Sequence, residues 1–302
     1  MRGKGIKNVS HSVSMRLKTF ASEKKIAFEF VLLRYAIERF LYRLGKSSHA
    51  DRFVLKGASA FAVWASPTFR ATRDADLHCH GNSTPEFLKQ CFIEICQTQV
   101  PDDGLALDLA SMQTSEIKKG DPYKGIRITL NARISQARVR LQFDIGFGDS
   151  VYPAAQLHDY PVLLKQECPR IRVYPFYTVT AEKFEAMVSL GMSNSRVKDF
   201  FDIWLLSEIC DFDGALLHET LSRTFARRNT ALPDSMPLAL TEEFYSDNLK
   251  CSFWDTFIRK TIPEHYPASL GKAAERIAEL IMPVILNEKH QLMTWSKTEG
   301  WK

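Results

Sequence analysis

The stretch DRFVLKGASAFAVWASPTFRATRDADLHCH, residues 51–80, decides how this chain is read. Phe53, Val54 and Leu55 make a short apolar run of the kind that forms a buried strand. Gly57 predicts a tight turn, and the residues from Ser59 onward read as a helix. RATRDADLHCH then alternates, with Asp74, Asp76 and His78 on one side and Ala75 and Leu77 on the other, as a strand does.

The chemistry follows from that order. A glycine turn between strand and helix exposes backbone N–H groups, and a helix N-terminus attracts anions. Lys56, Gly57, Ala58 and Ser59 are therefore candidate nucleotide contacts, although Gly-Ala-Ser at a helix start is more often an ordinary N-cap. Arg70, between the two motifs, joins them as a further candidate. Asp74 and Asp76 project from one strand face, and like charges so placed repel unless a cation neutralises them. Hard oxygen ligands of this kind suit Mg²⁺ (or Mn²⁺), which takes its remaining ligands from water and substrate phosphates. Thr72 lies two residues before Asp74 on the same strand and is a candidate phospho-acceptor. A phosphate there would add about 1.5 to 2 negative charges beside the two carboxylates.

Outward from this centre, Phe28, Val31, Leu32 and Tyr35 give the 3-4 spacing of a long helix over 22–44. Residues 1–46 carry eleven Lys or Arg against three Glu, a cationic segment that is either a phosphate-backbone binder or a solvated helix face. Downstream, residues 84–98 read as a helix, and 105–112, 125–133 and 138–145 as strands. Asp144 closes the last strand just before Gly146, where it either completes a metal site with Asp74 and Asp76 or caps the turn. His78-Cys79-His80 lacks a second pair at zinc-ligand spacing.

After Tyr152 a Pro-punctuated stretch leads into helical patterns at 180–193, 196–209, 214–227, 241–259 and 268–286. The expected organisation is a core over residues 1–170 with basic N-terminal helices, then a helical domain over 171–302. The aromatics Phe244, Tyr245, Phe253, Trp254 and Phe257 are expected in the helical core, whereas Trp295 and Trp301 fall in a polar tail with no assigned structure. With 302 residues, 45% hydrophobic and 25% charged, the chain is globular in composition. It has no apolar run long enough to span a bilayer. The basic start lacks the apolar segment of a signal peptide, and six scattered cysteines are expected to stay reduced, which together predict a cytoplasmic protein.

The segments ERFLYRLGKSS, DRFVLKGASAFAVW, RATRDADLHCHG, FDIGFGD, TAEKFEAMVSLGMSNSRVKDFFDIWLL and FARRNT, in this order, resemble the AbiEii-type nucleotidyltransferase toxins of type IV toxin–antitoxin and abortive-infection systems. The resemblance implies an α+β fold, a DNA-polymerase-β-like nucleotidyltransferase core with a small mixed sheet and flanking helices, followed by a helical C-terminal domain. It implies an NTP substrate, an RNA acceptor with a tRNA 3′ end as the candidate, and a separately encoded antitoxin, with no membrane partner. It assigns Lys183 to the NTP phosphates and Asp199, of the pair Asp199 and Asp202, to the active site, the helical domain bringing them to the cleft. Two other outcomes use the same residues: phosphoryl transfer onto a protein, and non-catalytic RNA or partner binding.

Overall fold

The computed structural model describes residues 8–65, 74–81, 84–117, 125–261, 267, 269–287 and 289–302. The chain divides into two compact units, Met1–Gly148 with Gln156–Val173, and Asp149–Ala155 with Tyr174–Lys302.

The first unit opens with α1 (Val9–Glu23), capped by the Asn8 side chain on the His11 N–H, and α2 (Phe28–Lys46). β1 (Phe53–Lys56) runs straight into α3 (Gly57–Trp64), followed by β2 (Ala75–Cys79) and α4 (Pro85–Gln97). Thr84 caps α4, with Pro85 in its first turn where no N–H is needed. The long strands β3 (Leu105–Ile117), β4 (Gly125–Ile134) and β5 (Ala137–Gly146) come next, then β6 (Gln156–Asp159) and β7 (Arg170–Val173). One mixed sheet orders these strands β3-β4-β5-β2-β1-β7-β6. β2 pairs with β5, and β1 with β7, in parallel; the other pairs are antiparallel. Strand β3 is longer than the expected 105–112 because it resumes pairing beyond an irregularity between Asp108 and Gln113. Period-2 alternation sends Ile126, Ile128, Leu130, Leu141, Phe143 and Ile145 into the core. There the Phe40 ring of α2 meets Phe92 of α4 at 5.1 Å and Phe143 of β5 at 4.2 Å.

The basic N-terminal segment divides in two. Lys24 and Lys25 are exposed, but Arg39 and Arg43 are buried. Arg43 forks onto Asp103 at 2.6 and 3.1 Å, and Arg39 joins it at 3.2 Å. For Arg39 and Arg43 neither the phosphate-binding nor the solvated-face reading of the basic segment holds: α2 is a core helix, and both are internal partners of the buried Asp103.

The second unit holds α5 (Phe176–Leu190), α6 (Val197–Ile209), β8 (Phe212–Asp213), α7 (Gly214–Arg227), the short α8 (Glu242–Tyr245), α9 (Asn248–Thr261) and α10 (Leu270–Leu286). Phe244 and Trp254 are buried, Phe244 stacking on Phe200 with ring centroids 5.3 Å apart. Trp295 and Trp301 are not in a structureless tail: β9 (Thr294–Ser296) lies between β8 and β10 (Gly300–Trp301) in a small antiparallel sheet. Pro283 inside α10 cannot donate to the Glu279 carbonyl one turn back, and the Trp301 indole Nε1–H donates to it instead at 3.0 Å. Trp295, 1% exposed, donates to the Ser207 carbonyl at 3.0 Å. An indole can fill a core and still meet a carbonyl, which the polarity of the flanking residues concealed.

Glu38 of α2 is fully buried in the first unit. Burial pushes its carboxyl up to about 7 against the Leu163 N–H, Arg39 and Arg34, which pull it down. An acid with a raised folded pKa favours the folded state at low pH, and that advantage fades as pH rises from about 4.5 to about 7. Glu38→Gln should therefore gain on the wild type by up to about 3 kcal/mol between pH 5 and pH 8. Urea midpoints at the two pH values measure this, and a gap that does not move with pH would exclude it.

Candidate active site

One row of residues crosses four strands of the sheet. Arg127 on β4 is the register partner of Asp144 on β5, Asp144 of Asp76 on β2, and Asp76 of Lys56 on β1. Register partners point to the same face, so the row reads cation, anion, anion, cation at strand spacings of about 4.8 Å. Two carboxylates about 5 Å apart repel by about 3 kcal/mol at the effective dielectric of a partly buried site. The flanking cations offset this. Arg127 forks onto Asp144 with both bonds, from Nε and Nη2, at 2.8 Å.

The Lys56–Ser59 turn packs directly against this row. Gly57 has φ of +63°, and a Cβ there would lie 1.9 Å from Asp76 Oδ2, so no other residue fits without displacing the carboxylate. The start of α3, with its unpaired N–H groups, thus adjoins the acid that would hold a cation. Ser59 is buried, and its hydroxyl donates to the Asp74 carbonyl at 3.1 Å. It ties the turn to the start of β2. Ala58 follows Gly57 in the first turn of α3. Arg70 and Thr72 lie outside the described residues.

Asp74 and Asp76 are half-buried, as Mg²⁺ sites with one or two carboxylates and substrate oxygens require. Among the described residues no group of three or more His, Cys, Asp or Glu is placed to hold a metal. Two carboxylates over a glycine turn fit a single divalent cation that shares its shell with phosphate. Asp144 is brought beside Asp76, but both of its oxygens are taken by Arg127. Sequence reasoning missed Arg127. Its signal was a lone arginine between Ile126 and Ile128, which alternation places on the polar face of the strand.

In the second unit, Lys183 of α5 sits between two buried acids of α6, 2.6 Å from Asp199 Oδ1 and 2.9 Å from Asp202 Oδ2. Arg196 adds a 2.6 Å contact to the other Asp199 oxygen. Asp199 and Asp202 are 1% exposed, so they are interior rather than surface acids. Burial alone would lower the Lys183 pKa, but the two carboxylates outweigh it and raise it. Burial likewise opposes ionisation of Asp199, yet Lys183 and Arg196 hold its carboxyl below the usual range. The ammonium is a clamped ion-pair member, held by both carboxylates.

Two outcomes follow. Gly57→Ala should lose more than about 1 kcal/mol, from the positive φ and the clash with Asp76, and should lose nucleotide binding with it. Wild-type melting and wild-type binding in this variant would remove Gly57 from the site. Lys183→Met should cost about 3–5 kcal/mol at pH 7, because it strands two buried acids. Asp199 has a depressed pKa, so its share of that stability is present at neutral pH and lost as pH falls below its usual 3.8. Lys183 has a raised one, so its share persists until pH climbs past 10.5. Urea unfolding at pH 3, pH 7 and pH 11 checks both, and a variant as stable as wild type at pH 7 would show the cluster contributes nothing.

No helix among the described residues is long and apolar enough to cross a membrane. No curated protein matches the chain. Two solved structures are similar to it, both from Helicobacter pylori. JHP933 is 15% identical over 88% of this chain and 97% of its own, with a TM-score of 0.44. A second chain, provisionally named a nucleotidyltransferase, is 15% identical over 82% of this chain and 93% of its own, with a TM-score of 0.40. The sequence model of the family described as nucleotidyl transferase AbiEii toxin, type IV TA system, matches residues 39–277, a span that contains the whole charged row, the glycine turn and the Lys183 cluster, and the chain belongs to that family.

Proposed function

We propose that the chain transfers a nucleoside monophosphate from an NTP to an acceptor hydroxyl, as the toxin of a toxin–antitoxin pair. The observation that supports this is the close approach of the Gly57 turn to Asp76, a turn suited to phosphate next to a carboxylate suited to a cation. Asp74 and Asp76 would hold Mg²⁺ or Mn²⁺, which when bound supplies Lewis-acid stabilisation of charge on the phosphate oxygens. The N–H groups at the start of α3 and the Lys56 ammonium would receive the triphosphate. The acceptor oxygen bonds to the α-phosphorus, the bond to pyrophosphate breaks, and the hydroxyl proton leaves to solvent. We assign Lys183 and Asp199 to the same reaction on the family resemblance alone.

RNA, with a tRNA 3′ end as the candidate, is the acceptor we favour. Arg133, Arg138 and Arg140 are exposed on the face that carries Asp144 and Arg127, and the exposed Asp108 is the acid among them. A cationic face leading to the carboxylates suits a phosphate backbone. A separately encoded antitoxin would relieve the resulting growth arrest.

Incubation with α- and γ-labelled NTPs and total cellular RNA tests the proposal. The α label should pass to RNA with wild type and not with Asp76→Asn, with activity down at least a hundredfold. Transfer of the γ label to a protein would make the chain a phosphotransferase. No transfer of either label, with metal-independent RNA binding, would leave a binding protein.

A further inference from the structure

Three carboxylates at the end of a sheet invite a two-metal reading, and Asp144 was the expected third ligand. Its surroundings argue otherwise. Both Asp144 oxygens accept from Arg127 at 2.8 Å, the planar fork-to-fork geometry in which guanidinium and carboxylate pair most strongly. Gln142, two residues earlier on the same face of β5, holds the guanidinium from a second side. With its amide oxygen turned toward Arg127 it accepts from Nη2 at 3.2 Å and Nε at 3.3 Å. Arg127 is thus fixed by two side chains of the neighbouring strand. Its remaining nitrogen, Nη1, has no acceptor among the described residues, and the side chain is 39% exposed while Asp144 is 14% exposed.

Charge gives the same answer. Asp74, Asp76 and Asp144 carry three negative charges, and Arg127 and Lys56 two positive ones, which leaves one, too little to draw a second divalent cation. Arg127 also feels Asp74 and Asp76 directly: its pKa is raised first by the Asp144 hydrogen bonds and then by all three carboxylates. A second divalent cation at Asp144 would have to strip the guanidinium from both oxygens and then sit beside it, cation against cation.

We infer that Asp144 is the anchor of Arg127 rather than a metal ligand, and that Arg127, through Nη1, is a phosphate contact for the NTP at a one-metal site. The assignment rests on the nucleotidyl-transfer reading above. Asp144 and Gln142 are then positioning residues that aim a fixed guanidinium. A guanidinium held in this way meets phosphate oxygens with little loss of side-chain freedom. The row of Arg127, Asp144, Asp76 and Lys56 becomes a phosphate cradle at both ends with the cation site between.

The test uses full-length protein and two probes. Mn²⁺ is titrated by electron paramagnetic resonance in the presence of saturating α,β-imido NTP, and the affinity of that analogue is measured by calorimetry. Wild type should hold one Mn²⁺. Asp144→Asn and Arg127→Met should still hold one, with Mn²⁺ affinity within about threefold, while each binds the analogue roughly tenfold or more weakly. The double variant should be no worse than either single one, because the two residues act as one unit. Arg127→Lys keeps the charge without the fork and should also lose analogue affinity, which covers the case in which Arg127→Met does not fold. Two Mn²⁺ in wild type falling to one in Asp144→Asn would restore Asp144 as a ligand and overturn the inference. So would Arg127 variants that bind the analogue as wild type does. Wild type that holds Mn²⁺ but no analogue would defeat the nucleotidyl-transfer reading and this inference together. Correct Mn²⁺ and analogue behaviour with no α-label transfer would defeat only the former.

Discussion

Two aspartates, Asp76 and Asp144, stand side by side on parallel strands, and the rest of the site is organised around their repulsion. The sheet offsets it from both edges of the pair, with Arg127 on one side and Lys56 on the other. Gly57 is bound to the same constraint from above, since any side chain there would enter the space of the Asp76 carboxylate. Ser59 reaches down to the Asp74 carbonyl and fixes the turn relative to β2. The apolar face of the same strands supplies rigidity: Leu77, Phe143 and Ile145 are fully buried beneath their charged neighbours. Core packing therefore sets the positions of the charges, and the charges determine which residue types the turn tolerates.

The second unit treats buried charge in the same manner with different parts. Lys183 neutralises Asp199 and Asp202, and Arg196 completes the shell of Asp199. Arg228 does so again for Glu185, at 2.7 Å. In each case a cation is fixed by more than one contact, so deleting it strands an acid in low dielectric. Mutational loss of activity at Lys183 would thus mix chemistry with stability, and the two need separate measurement.

Much of this was legible in residues 51–80, because both signals there are local. A strand, a glycine turn and a helix follow from neighbouring residues, whereas the strand expected to carry both aspartates begins only at Ala75, one residue after Asp74. The helical second half was legible for the same reason, its apolar spacing marking α5, α6, α7, α9 and α10. What escaped depends on partners remote in sequence. Arg127 gains its meaning from Asp144, seventeen positions on. Arg39 and Arg43 look like surface charge until Asp103 is placed against them. Trp301 looks like tail until the Pro283 defect in α10 supplies an acceptor. Composition reports that a charge exists and is silent on whether it faces water.

The parallel pairing of β2 with β5 has a consequence for the order in which the molecule is made. Two antiparallel strands can close through a short turn, but Asp76 meets Asp144 only after α4, β3 and β4 have been laid down between them. On the ribosome, β2 must therefore wait for the chain to extend through Gly146, and non-local pairing of this kind closes slowly. A nascent chain that has produced the glycine turn, Asp74 and Asp76 still lacks the strand that pairs with β2. In a member of a toxin family, late pairing of β2 with β5 puts off assembly of the charged row until the chain has been made through Gly146.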